Sequence, residues 1–212
     1  MPLRLPRTIL ALLAVTLTSA CTVFGGPAAP EPSYSVVRTE GPFEIRDYPA
    51  LIVVATPMED GSSDAFGRLF DYISGENAGD TKIAMTAPVL QSAEEGTEIA
   101  MTAPVLQSFG ADGIREMVFV LTDGFTLETA PIPTNAKVRL ARIPARRVAT
   151  TRFSGRLRDA AVAENTKLLE AWIADQDLTP IGPPESAGYN PPWTLPPFKR
   201  NEVLIPIAAD AS

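Results

Sequence analysis

The stretch that decides the fold is Thr81-Lys-Ile-Ala-Met-Thr-Ala-Pro-Val-Leu-Gln-Ser92, followed by Ala93-Glu-Glu-Gly96 and then Thr97-Glu-Ile-Ala-Met-Thr-Ala-Pro-Val-Leu-Gln-Ser108. Eleven of twelve positions recur at an offset of sixteen, and only Lys82/Glu98 differ. That offset is too short for a solenoid unit and too long for a coiled-coil heptad. It predicts two β-strands joined by a short loop. Ile83, Met85, Ala87 and Val89 alternate with Ala84, Thr86 and Leu90, the period of a strand with two distinct faces. Glu95-Gly96 supplies the turn. Pro88 and Pro104 cannot donate to a ladder, so each marks an edge, a bulge or a strand end. The register stays open. With residues 93–96 as the loop, Met85 and Met101 lie on opposite faces, whereas a slip by one residue brings them to the same face.

Upstream of this repeat, residues 35–39, 43–48 and 51–54 read as strands. Phe43-Glu-Ile-Arg-Asp-Tyr48 alternates, with one face buried and one wet, and Leu51-Ile-Val-Val54 is apolar on both faces, as a central strand is. Ser62, Ser63 and Asp64 offer helix N-caps. Phe66, Leu69, Phe70 and Ile73 then follow at i, i+3, i+4 and i+7, a single apolar stripe that Gly75 and Gly79 end. Downstream, residues 116–122, 137–143, 146–153 and 201–207 read as strands. A second helix spans 157–174, with Ala161, Leu168, Leu169, Trp172 and Ile173 on its buried side. The order is therefore strands, helix, strands, given twice, with the second copy less complete. It predicts an α+β domain built on a curled antiparallel sheet.

Of the 212 residues, the first twenty have the pattern of an export signal: Arg4 and Arg7, an apolar run over residues 9–17 too short to span a bilayer, then Thr18-Ser19-Ala20 before Cys21. Small residues ahead of a lone cysteine match a lipoprotein processing site, although Leu17 sits one place further from Cys21 than is usual. The competing expectation is plain secretion, with Cys21 incidental. Residues 21–33 would form a lipidated cysteine and Gly/Pro tether. Residues 34–208 would form the domain, and 209–212 a disordered tail. The expected location is the periplasmic face of the outer membrane, with a soluble periplasmic or secreted protein as the alternative. The net charge of −7, falling to −9 (16 basic against 25 acidic residues) without residues 1–20, speaks against nucleic acid as a partner. One cysteine forbids an internal disulfide.

The doubled Ile-Ala-Met-Thr-Ala-Pro-Val resembles the bacterial branch of the SOUL/haem-binding protein family. So do residues 34–48, residues 138–155, and Tyr189-Asn-Pro-Pro-Trp-Thr-Leu-Pro-Pro-Phe198 with the Lys199-Arg-Asn-Glu-Val-Leu-Ile-Pro206 that follows it. The resemblance covers residues 34–207. It implies two pseudo-symmetric β-α-β-β halves forming a distorted, barrel-like antiparallel sheet flanked by two long helices, a fold shared with bacterial effector-binding domains. It also implies non-covalent binding of haem or a related tetrapyrrole, for storage, buffering or transfer, by a monomer.

The chain has no histidine, and its single cysteine lies at the expected processing site. This removes Ser-His-Asp and Cys-His nucleophiles, histidine zinc sites and histidine haem ligation. No Gly-rich phosphate loop or paired-carboxylate motif is present, so no enzyme and no metal site are expected. By the resemblance, Phe66, Leu69, Phe70 and Ile73 would form the wall of a haem site beside the first helix. The same stripe is the default pattern of helix-on-sheet core, the preferred expectation for each of these residues. Arg68, Lys199 and Arg200 would meet the ligand's carboxylates. Met85 and Met101 are the side chains of choice if iron is ligated, with Tyr72 and Tyr189 weaker options and core filling the ordinary role of methionine. Trp193 sits in a proline-stiffened loop that either packs over the sheet, the preferred expectation, or rims a ligand cleft. The reading from a different class is an envelope protein-interaction module without a small ligand, expected to show an exposed apolar patch.

Overall fold

The computed structural model describes residues 29–78, 96–110 and 113–209. The export signal, Cys21, the first copy of the repeat with Met85, and residues 210–212 lie outside the described residues. The elements are β1 (Ser35–Glu40), β2 (Phe43–Tyr48), β3 (Leu51–Pro57), α1 (Ser62–Ile73), β4 (Asn77–Ala78), β5 (Val105–Phe109), β6 (Arg115–Val120), β7 (Ile132–Pro133), β8 (Arg139–Ile143), β9 (Arg146–Phe153), α2 (Asp159–Asp175), β10 (Glu185–Gly188) and β11 (Asn201–Ile207).

Nine strands form one antiparallel sheet in the order β1-β2-β9-β11-β10-β5-β6-β3-β8, while β4 and β7 pair separately. The architecture is α+β, as the sequence predicts. Among the described residues the sheet is not a closed barrel: β1 and β8 are its two edges and do not pair with each other. Both edges carry charge, with Arg38 and Glu40 on β1, beside the exposed Val36 and Val37, and Arg139 and Arg142 on β8, and charge at an edge discourages further pairing. The sheet nevertheless wraps one core. Tyr48, Val53, Leu106, Val118, Val148, Ala187 and Leu204, drawn from seven strands, are buried in a single cluster.

β3 shows how alternation feeds two layers. Leu51, Val53 and Ala55 enter that inner cluster, whereas Val54 joins Ala65, Leu69, Tyr72, Ile73 and Phe119 beneath α1. On the far side Leu169, Trp172 and Ile173 of α2 cover Ile45, Ala149, Val203 and Ile205. Leu168, expected in that interface, is 54% exposed. The turn from residue 169 to 172 and 173 already fills the contact with the sheet.

The helix α1 begins at Ser62, two residues before Asp64, because Gly61 (φ 100°) turns the chain into the helix and its carbonyl accepts from Ala65 N–H at 3.2 Å. Its end is a Schellman turn: Glu76 N–H donates to Asp71 O (2.9 Å), with Gly75 at φ 112° where a side chain would be strained.

The expected hairpin between the two repeat copies is corrected in its second arm. Only residues 105–109 of that copy form a strand, and β6 and β10 occupy both sides of it. Residues 97–104 are irregular because their donors go elsewhere. Ile99 N–H bonds Ile73 O at 2.7 Å, Ala103 N–H bonds Pro30 O at 2.9 Å, and the Thr102 hydroxyl bonds Val120 O. Asn77 clamps Thr97 through both backbone groups, at 2.8 and 2.9 Å. Pro104 stands at the strand start, where its missing N–H costs nothing.

Candidate functional site

The irregular half of the second repeat copy has a consequence for binding. Residues 101–104 join no strand, and a cleft of about 500 Å³ opens between them, the start of α1 and the turn that follows β10. Phe66, Met101, Val105 and Leu157 supply apolar wall, Tyr189, Pro191 and Pro192 one rim, and Arg156 and Lys199 two cations. Phe66 is held from behind by the ring of Phe119, edge-on at 5.4 Å. The volume lies within the range of roughly 300–1,000 Å³ usual for small-ligand sites. No carboxylate lines the cleft among the described residues. A second hollow, of about 380 Å³, is lined by Met58, Glu59, Ser62, Arg115 and Asp159, and the cation there is already engaged: Arg115 reaches Asp159 at 3.0 Å.

Behind the cleft lies a buried ionic network. Glu202 is fully buried on β11, and Arg46 of β2 meets its two oxygens at 2.7 and 3.3 Å. Arg200 Nε donates to it at 2.9 Å, and the Tyr189 hydroxyl at 2.7 Å. Burial pushes the Glu202 carboxyl up, but the hydrogen bond and charge of Arg46, the charge of Arg200 and the Tyr189 hydroxyl outweigh it, so the group stays below the usual carboxylate range. Arg46 also bonds Glu44 (2.7 Å) and lies 4.5 Å from the centre of the Tyr34 ring. Arg200 stacks on Tyr189 at 3.8 Å and pairs with Glu31. The expected wet face of Phe43–Tyr48 is thus corrected: Arg46 is buried, because β11 brings the Glu202 carboxylate to it and the Tyr34 ring lies over its guanidinium.

The predicted site residues divide. Phe66, Met101 and Lys199 line the cleft. Leu69 and Ile73 do not; they are buried under α1. Phe70, 46% exposed, lies on the outer side of the helix, stacked on Phe66 at 6.1 Å. Arg68 ties α1 to β3 instead, through Thr56 Oγ1 (2.9 Å) and Pro57 O (2.6 Å). Arg200 is spent on Glu202 and Glu31. Met85 and Cys21 lie outside the described residues.

Tyr72 donates to Pro131 O at 2.8 Å, with its hydroxyl pushed up by burial to about 12. Tyr189 lines the cleft, but its hydroxyl turns to Glu202, and burial followed by that carboxylate's charge raises it far above the tyrosine range. Neither phenol is disposed to ionise onto a metal. Among the described residues no group of three His, Cys, Asp or Glu could hold a metal ion. Trp193 is 65% exposed, which overturns the expectation that its loop packs its aromatics down over the sheet. Sequence reading gave neither Arg156 nor Leu157 to the site; Leu157, expected to open the second helix, lies in the turn before it, since α2 begins at Asp159. The one signal there was a run of arginines, Arg152, Arg156 and Arg158, uninterrupted by acid.

A curled open sheet, two covering helices and an apolar cleft with cations at its mouth make this an α+β domain suited to holding a ligand by contact. Comparison with known families gives the particular kind. A model of the SOUL heme-binding protein family matches residues 29–206, and the chain belongs to that family. No curated protein sequence matches the chain. Among solved structures, the C-terminal domain of EcmrR is similar at 13% identity and a TM-score of 0.51, over 82% of this chain and 98% of that one. A hydrolase from Listeria innocua is similar at 13% identity and a TM-score of 0.44, over 85% of this chain and 94% of that one. The EcmrR likeness is one of fold.

Proposed function

We propose that this chain binds haem or a related tetrapyrrole non-covalently in the cleft beside α1, as a binding protein and not an enzyme. The observation that carries the reading is that Phe66 and Met101, far apart in sequence, face one hollow that also holds Arg156 and Lys199. The residues present fit such a guest. Phe66, Val105 and Leu157 would cover its flat faces, and the two cations would take its carboxylates. Met101 would offer the iron a thioether, and bound haem would bring its own redox chemistry. The order of the sheet, which reads alike from both ends once β1 is set aside, supports two pseudo-symmetric β-α-β-β halves, with this cleft beside the helix of the first. The N-terminal pattern around Cys21 supports export and lipidation, hence a role in holding or passing the pigment in the cell envelope as a monomer.

Titration of the purified protein with hemin, followed at the Soret band, tests the reading. One equivalent is expected to saturate. The double substitution Arg156→Gln/Lys199→Gln is expected to weaken binding by about tenfold, since each exposed charge contact contributes about 0.5–1 kcal/mol. Absence of a saturable change, or affinity indifferent to both cations, refutes it.

A further inference from the structure

The loop after β10 carries three large apolar side chains into solvent: Trp193 (65% exposed), Leu195 (45%) and Phe198 (46%). The loop is firmly held. Thr194 is buried between them, Arg200 N–H bonds Asn190 Oδ1 at 2.6 Å, and Gly155 N–H bonds Pro196 O at 2.8 Å. Four prolines stiffen the remainder. A rigid segment that presents Trp, Leu and Phe outward leaves a patch that water disfavours.

Its surroundings are cationic. Arg152, Phe198 and Lys199 line one shallow hollow, and Arg156 and Lys199 stand at the cleft mouth with Pro191 and Pro192. Among the described residues none of these three cations has a carboxylate partner, on a chain whose net charge is −7. Exposed Trp and Phe ringed by Arg and Lys is the composition that settles into a headgroup layer. Charge complementarity selects its occupant, an anionic lipid surface.

We propose that residues 190–199 dock on an anionic bilayer, with Trp193 and Leu195 entering the headgroup region, Arg152 on lipid phosphate, and Arg156 and Lys199 facing the same surface while the cleft is empty, so that the cleft opens against the membrane. Ala29 lines the same cleft. An anchor at Cys21, under the reading above, would keep this face within about 29 Å of the bilayer, the limit for eight extended residues. The loop's contact itself requires no acyl chain and no pigment.

The test uses the full chain carrying Trp172→Phe, so that all indole emission is that of Trp193. Trp172 is buried, and its Nε1 has no hydrogen-bond partner among the described residues, so phenylalanine loses no bond there. Vesicles of phosphatidylcholine with or without phosphatidylglycerol carry brominated acyl chains that quench only an inserted ring. On the anionic vesicles Trp193 emission is expected to shift to the blue and be quenched. Arg152→Gln, outside the cleft, is expected to weaken partition about fivefold. If the chain floats with the vesicles while Trp193 stays unquenched, the tether alone touches lipid and the proposal fails. It fails equally if quenching ignores phosphatidylglycerol and Arg152→Gln, or if the chain ignores the vesicles. Hemin titration without vesicles reads the pigment site separately.

Discussion

Replacing Arg46 by methionine tests the ionic network directly. The guanidinium is 4% exposed and meets both oxygens of a carboxylate that is fully buried. Removing one partner of a buried pair costs about 3–5 kcal/mol, mostly because the other charge is stranded. Arg200, at 2.9 Å, and the Tyr189 hydroxyl, at 2.7 Å, remain on Glu202, so the lower end, about 3 kcal/mol, is expected. In a domain of this size that lowers Tm by about 6–12 °C.

The pH dependence gives the sign. A carboxyl held below its unfolded pKa adds stability above that unfolded value, and the gain is lost as the pH falls through the folded one. Glu202 is such a group in the intact protein. Without Arg46 the burial of Glu202 is less opposed, and its folded pKa rises. The gap between intact protein and variant is therefore expected to be widest at pH 7 and to narrow as the pH falls towards 4. Urea unfolding followed by circular dichroism across this range reads it. A loss below about 1 kcal/mol, the value of an exposed pair, or a gap that does not change with pH, would show that the network is not what holds β2 to β11.

Two further substitutions separate core from site. Leu69→Ala should cost about 2–5 kcal/mol as a cavity under α1, whereas Phe70→Ser, at an exposed position, should stay within about 0.5 kcal/mol; equal effects in urea unfolding would mean the face of α1 is misassigned. Tyr189→Phe should cost about 1–2 kcal/mol through the lost bond to Glu202 yet leave the Soret band of the pigment complex unmoved; a shifted band would make the phenol an iron ligand.

Much of the fold is legible where strand alternation or apolar content is strong. Phe43–Tyr48, Arg146–Phe153 and Asn201–Ile207 can be read to the residue. β10 cannot, because Glu185-Ser-Ala-Gly188 has no apolar alternation. It is a strand because Leu106 and Val203 flank it and because Arg146 meets Glu185 at 2.6 and 2.7 Å. On α1 the stripe of large residues misleads by part of a turn. Ala65 and Tyr72 are buried and Phe70 is not, since close approach to the sheet favours the small residue and Tyr72 finds a carbonyl for its hydroxyl. The cleft is legible only in Phe66, Met101 and Lys199. Its other cation and its floor depend on tertiary turns without a local pattern. Arg46 reads as a charge on a wet strand face, and only the strand order shows that it meets Glu202.

The central claim is that a flat pigment lies against Met101, and the methyl spectrum of the protein labelled at its methionine methyls tests it most directly. On adding gallium protoporphyrin, a diamagnetic stand-in, the Met101 methyl, assigned through Met101→Leu, is expected to move upfield under the ring current while that of Met117, buried in the core, stays in place. A bound pigment that leaves the Met101 resonance unmoved would contradict the account.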